Sequence, residues 1–157
     1  MLIVMGLLFA EGEVMADKVV VKKSARMLYL LNNEDVFKKY HITLGQVPLG
    51  DKEFEGDMKT PEGVYRIDYR QYSEDYYKSL HISYPNKSDK EHAKKLGKNP
   101  GGMIMIHGTP PSWSLSPYGD WMNILIDWTE GCIAMSNDDM DEAWELITNG
   151  TVIVILP

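Results

Sequence analysis

The chain carries one cysteine, Cys132, in the stretch Asp127-Trp128-Thr129-Glu130-Gly131-Cys132-Ile133-Ala134-Met135. Upstream, the apolar run Met103-Ile104-Met105-Ile106 ends in His107-Gly108. A thiol after a glycine and a histidine at the end of a strand are what covalent acyl transfer requires: a nucleophile, a base and a freed backbone N–H. An isolated cysteine is more often a small buried hydrophobe than a catalyst. The flanks argue against that here, because Thr129 and Glu130 before the thiol and Ser136, Asn137, Asp138 and Asp139 after it describe a polar loop edge. Gly131 has no Cβ and lets the chain bend, so that the N–H groups of residues 131 and 132 face a common point fit for an oxyanion. Glu130 is expected to point away, since a carboxylate aimed at the thiol disfavours the thiolate.

Other candidate chemistry is weaker. The four histidines, His41, His81, His92 and His107, share no metal-ligand spacing with each other or with Cys132, so no metal site is expected. His92 lies in a charged run and reads as a solvated helix face, and His41 as a strand residue facing water. His81 alternates with Ser83, so it either points into the cleft of His107 or is a hydrogen-bonded structural histidine. Trp113, Trp121 and Trp128 lie between the two candidate catalytic segments, and loop packing explains them more simply than glycan or peptide contact. The stretch from Pro110 to Gly119 resists regular structure and is expected to form a lid that excludes water.

The elements that position these residues are mostly strands. Segments 18–22 and 26–31 have strand patterning, Asn32-Asn33 offers a turn, and 36–44 continues the meander. Residues 45–59 are expected to be a surface loop, closed by the turn Thr60-Pro61-Glu62-Gly63, with a strand over 64–69. A charged helix is expected over 88–96. A second over 137–148 places Met140, Ala143, Trp144 and Ile147 on one face, with Ser136 or Asn137 as its cap. The fold class is mainly β: a β-rich sandwich or closed mixed sheet with few short helices.

With 157 residues, 44% hydrophobic and 25% charged, the chain is long enough for one domain with a substantial core. Its net charge of −7, with no block of Lys or Arg, disfavours nucleic acid and anionic membrane surfaces as partners. Met1–Ala10 is apolar but too short to span a bilayer as a helix, and Val14-Met15-Ala16 fits a small-residue cleavage pattern. Residues 1–16 are therefore expected to be a signal peptide, lacking the usual basic start, and 17–157 the catalytic domain. One cysteine excludes an internal disulfide, which leaves an exported Cys132 as a free thiol.

Four segments in order carry a family resemblance: Lys59-Thr60-Pro61-Glu62-Gly63-Val64-Tyr65, Ser79 to Asn86, Ile106-His107-Gly108-Thr109, and Trp128 to Asn137, closed by Asn149 to Ile155. Together they resemble the catalytic domain of the YkuD-type L,D-transpeptidases. The resemblance implies that Cys132 is the nucleophile, His107 its base, and Gly131 with Cys132 the oxyanion donors. His81, Ser83, Gly108, Trp128 and Thr129 are candidates for binding substrate. It implies peptidoglycan stem peptides as partner, no cofactor, and a periplasmic or otherwise extracytoplasmic location. Two positions depart from the commoner pattern: Thr129-Glu130 stands where many members have Ser-His, and Ala134 where many have arginine two residues past the cysteine. The second leaves recognition of the substrate's carboxylate without an assigned residue. A hydrolase on the same scaffold, either an L,D-carboxypeptidase or an amidase, and a non-catalytic wall-binding module are the rival readings.

Overall fold

The computed structural model describes residues 12–115 and 125–157. Most of the expected signal peptide, part of the expected lid, and Trp121 lie outside the described residues. Ala16 is buried and its N–H donates to Leu146 O, so the folded unit includes it.

Period-two burial builds the first half of the sheet. β1 (Lys18–Lys22) buries Val19 and Val21 and pairs antiparallel with β2 (Met27–Asn32), which buries Leu28, Leu30 and Leu31. β2 turns into β3 (Asp35–His41) through Asn33 and Glu34, both at positive φ, the geometry of a two-residue type I′ hairpin. The turn therefore sits one residue later than Asn32-Asn33. On its other side β1 pairs in parallel with β8 (Val152–Leu156), the last strand.

The second half hangs on β4 (Gly63–Ser73), whose first residues pair with β8 and whose remainder pairs with β5 (Tyr77–Ile82) across an irregular register between Ile67 and Tyr69. It extends past the expected 64–69 because Arg70, Gln71 and Tyr72 are held by ladder partners, Leu80, Ser79 and Lys78, and not by burial. β5 pairs with β6 (Met105–His107), and β6 runs parallel to β7 (Ile133–Ala134). One mixed sheet results, in the order β3-β2-β1-β8-β4-β5-β6-β7. Bridges from Thr43 to Ala134 and from Gly45 to Thr129 bring the chain after one edge strand onto the other edge. The core lies within that curve, with Ile42, Ile67, Leu80, Ile82, Ile106, Ile133, Ile153 and Ile155 nearly inaccessible.

Two α-helices complete the described fold. α1 (Lys87–Lys95) starts with a capping box between Asn86 and Asp89 and is followed by Gly97 at φ 67°. α2 (Asn137–Leu146) is capped by Ser136, whose hydroxyl accepts from Asp139 N, and Asp138 and Asp139 complement its N-terminal dipole. Met140, Ala143 and Trp144 face the sheet as their spacing predicts, and Ile147 caps the helix fully buried. No helix among the described residues is long and apolar enough to cross a membrane.

The 45–59 segment is the expected irregular surface stretch, with Val47 and Leu49 exposed, but its Lys52 is drawn inward. The Asp57 carboxylate accepts the N–H groups of Glu53, Phe54 and Lys59 and the Lys52 ammonium at 2.8 Å. Lys52 is left 5% exposed. Lys23, buried beneath the end of the same loop, donates to Gly50 O, Thr60 O and the Glu62 carboxylate. Charges read as solvent-facing in the sequence are here paired with each other and with loop backbone.

Candidate active site

β6 and β7 place the thiol and the imidazole. His107 ends β6 and pairs with Ala134, while Cys132 immediately precedes β7, at the register of Met105. Cys132 thus lies one residue before the strand that runs beside His107's own. Both line a cleft of about 670 Å³ whose other walls include Lys52, Gln71, Tyr76, Met103 and Trp128.

A tight turn presents Cys132. The Thr129 hydroxyl donates to Cys132 O at 2.7 Å and accepts the Gly131 N–H at 3.2 Å. Gly131 sits at φ 137°, and a Cβ on it would lie 2.7 Å from Lys59 O. Gly45 is packed as closely, its absent Cβ 2.2 Å from Met58 O and 3.1 Å from Gly131 Cα. Three backbone segments therefore meet at van der Waals distance behind the thiol, and the Gly45–Thr129 bridge locks two of them.

His107 is oriented with equal care. Its Nδ1 donates to Gly108 O at 2.6 Å, and because a carbonyl only accepts, the proton lies on Nδ1, while Nε2 has no hydrogen-bond partner among the described residues. Tyr76 and Trp128 flank the ring at centroid distances of 4.8 and 5.6 Å, and Trp113 packs on Trp128 at 4.7 Å. Asn137, first residue of α2, clamps the following backbone: its Oδ1 accepts from Thr109 N and its Nδ2 donates to Thr109 O. Gly108 has no room for a Cβ, which would lie 2.2 Å from Asn137 Oδ1. Asn137→Ala strands both Thr109 backbone groups. We expect a loss of about 1–3 kcal/mol of stability, read as a lower chemical-denaturation midpoint.

At rest the pair is neutral. Burial holds the His107 imidazole down at about 4, against a smaller upward pull from the Gly108 hydrogen bond. Burial also pushes the Cys132 thiol above its ordinary range; a backbone hydrogen bond from Met105 and the Lys52 charge pull it back, and Glu130 pushes it up least of the four. Glu130 is among the residues that line the cleft and is exposed to solvent. The thiol donates to Met103 O at 3.4 Å, and no hydrogen bond joins it to the imidazole.

The structure brings together some sequence candidates and disperses others. Cys132, His107, Trp128 and Thr129 share the cleft. Thr129's hydroxyl is spent inside the turn, so it shapes the site and is not free for substrate. Gly108 acts through its carbonyl on His107. Of the two N–H groups expected to face an oxyanion, that of Gly131 donates to Thr129 Oγ1, while the Cys132 N–H has no acceptor among the described residues. His81 and Ser83 lie outside the cleft lining. His81 Nδ1 bonds Asp68 at 2.6 Å with Tyr69 stacked on its ring at 4.3 Å, and Ser83 Oγ accepts from Arg66 N. His81 is thus the hydrogen-bonded structural histidine of the two readings. Trp128 walls the imidazole, while Trp113 packs on Trp128 as loop packing would have it.

Sequence reasoning missed Lys52, Gln71, Tyr76 and Met103. Tyr76 and Met103 carry no motif signal. Lys52 had one, in an Asp57 placed five residues on that can cap a turn, but nothing local said that the pair is buried.

The chain belongs to the YkuD family, the L,D-transpeptidase catalytic domain, whose sequence model matches residues 16–155. It is similar to YafK of Escherichia coli (strain K12), 34% identical over 106 residues, covering 66% of this chain and 34% of that protein. The chain thus spans about a third of the curated relatives it matches. Among solved structures it resembles the helical cell shape determining protein Pgp2 from Campylobacter jejuni, with TM-score 0.65 and 27% identity, over 88% of this chain and 46% of that one. It also resembles Bd1075 of Bdellovibrio bacteriovorus, with TM-score 0.61 and 25% identity, over 90% of this chain and 48% of that one. A likeness in fold alone extends to the L,D-transpeptidase from Xylanimonas cellulosilytica, with TM-score 0.56 and 13% identity over 92% of this chain and 62% of that one.

Proposed function

We propose that this domain is a cysteine-dependent L,D-transpeptidase acting on peptidoglycan stem peptides through a thioester. The observation that carries the reading is the placement of Cys132, just before β7, and His107, at the end of the adjacent β6, in a shared cleft, with no partner for His107 Nε2 among the described residues. The attacked group is the amide carbonyl joining the L-centred third residue to the terminal D-alanine. As Sγ bonds to the carbonyl carbon, His107 Nε2 takes the thiol proton, and the Cys132 N–H holds the oxyanion. Collapse breaks the carbon–nitrogen bond, and the proton on Nε2 goes to the departing amine of D-alanine. An acceptor amine then attacks the thioester, gives its proton to His107, and expels the thiolate, which recovers that proton. Because thiol and imidazole are both neutral at rest, the thiolate forms during attack and not beforehand.

The same reading takes the folded domain from Ala16 onward as the catalytic domain, one residue earlier than the cleavage pattern suggested, and the apolar residues before it as a leader carrying it outside the cytoplasm to the cell wall. The likeness to a cell shape determining protein supports a role in wall remodelling. The test is to incubate the protein and a Cys132→Ala variant with tetrapeptide muropeptides, with and without excess D-amino acid, and to follow intact mass and products. Exchanged or cross-linked product with a transient adduct on the wild type alone is the expected result. Trimmed product alone makes it a carboxypeptidase, and the absence of both adduct and product sinks the enzymatic reading.

A further inference from the structure

The cleft beside Cys132 is lined by one lysine and no arginine among the described residues, Lys52, together with Glu55 and Glu130. No arginine follows the thiol, because Ala134 occupies that position and is buried in β7. Lys52 is anchored from below. Its Nζ donates to Asp57 Oδ1 at 2.8 Å and to Phe54 O at 3.2 Å, which leaves one N–H with no acceptor among the described residues. Asp57 in turn spends its oxygens on three backbone N–H groups as well, so its negative charge is already shared among four donors. A cation fixed at 5% exposure, with one donor unspent, is poised for an anion entering the cleft.

We propose that Lys52 is the residue that reads the donor's free terminal carboxylate, placing the scissile carbonyl over Cys132. This rests on the acyl-transfer reading above and deepens it by naming the group that selects the donor. A terminal carboxylate meets a pre-positioned ammonium whose own side chain is already ordered, so little entropy is lost on binding. A terminal carboxamide leaves that donor facing a poorer acceptor. The bland alternative is that Lys52 only holds the 52–57 loop in place, and the two differ in whether its removal acts on charge or on everything alike.

Two alkylating agents with the same leaving group separate them without any peptide. The second-order rates of Cys132 alkylation by iodoacetate and iodoacetamide are measured on the full chain at one pH, so that their ratio cancels the thiolate fraction. Relative to 2-mercaptoethanol, the wild-type ratio is expected to be raised at least about threefold in favour of the anion, Lys52→Met to abolish the excess, and Lys52→Arg to keep most of it. A wild-type ratio at or below that of 2-mercaptoethanol overturns the proposal even if no variant folds, and so does a folded Lys52→Met protein with an unchanged ratio. The peptide arm compares kcat/KM for tetrapeptides ending in D-alanine and in its carboxamide. Lys52→Met is expected to lower acid-to-amide discrimination at least about tenfold, whereas an equal fall for both substrates identifies a loop prop and overturns the assignment. If the wild type alkylates with the expected ratio but acylates with neither peptide, the carboxylate site stands and the peptidoglycan reading fails.

Discussion

Acylation of Cys132 in a His107→Gln protein is expected to fall by about 10²–10⁴-fold, with the protein folded and more tolerant of mild acid than the wild type. The kinetic half follows from the resting charge state. With thiol and imidazole both neutral, no preformed thiolate waits to attack, and the proton must leave as the bond forms. Glutamine can fill the slot between Tyr76 and Trp128 but cannot accept that proton. The stability half follows from linkage. The imidazole is depressed from an unfolded value near 6.5 to about 4 in the fold, so its contribution is fully present above 6.5 and is lost as pH falls toward 4. A depression of this size corresponds to about 3 kcal/mol across that window. Denaturant titrations of both proteins between pH 7.5 and pH 4 should therefore converge as pH drops, with the wild type losing more. A parallel pair of curves, or a variant that acylates at the wild-type rate, removes His107 from the role given to it.

What the sequence made legible is local. The cap at Ser136, the acidic first turn and the 3.6-residue spacing of Met140, Ala143, Trp144 and Ile147 specify α2 with no help from the rest of the chain. Val19 and Val21 alternate as a half-buried strand must. Cys132 and His107 stood out because residue type, neighbours and a preceding glycine all pointed the same way. What stayed hidden depends on partners distant in the chain. The 45–59 segment has a loop's composition and is a loop, but nothing local announces that Lys23 and Thr60 converge on it or that its own Lys52–Asp57 pair is buried. The end of β4 is polar and is a strand because β5 pairs with it. The resemblance implied the Gly131 N–H as an oxyanion donor, whereas the Thr129 hydroxyl accepts that N–H. The same hydroxyl donates to Cys132 O, so the group that takes one expected donor also braces the turn carrying the thiol.

That stiffness makes Gly131→Ala the other variant with a large expected effect. Two penalties combine at this position. At φ 137° an L-residue is strained by about 1–3 kcal/mol wherever it sits. The new Cβ would also lie 2.7 Å from Lys59 O, a backbone atom that cannot swing aside as a side chain would. Lys59 N is held by Asp57, the next carbonyl by Lys23, and the Thr60 hydroxyl accepts from Gly45 N, so the segment behind Gly131 is tied at three points. The relief is then taken by the 129–132 turn, which moves Sγ relative to Nε2, and a displacement of about 1 Å at a reacting atom costs about 10²-fold in rate. The expected outcome is a folded protein less stable by about 3 kcal/mol or more, with acylation down at least about 10²-fold. Gly150→Ala is the matched control, because Gly150 is at φ 94°, has nothing within 4 Å of the point a Cβ would occupy, and lies away from the cleft. It bears the backbone strain alone and should lose stability while keeping its rate. Equal stability losses in the two variants, or an unimpaired rate in Gly131→Ala, would show that the close stacking of Gly45, Gly131 and Lys59 does not set the position of the thiol.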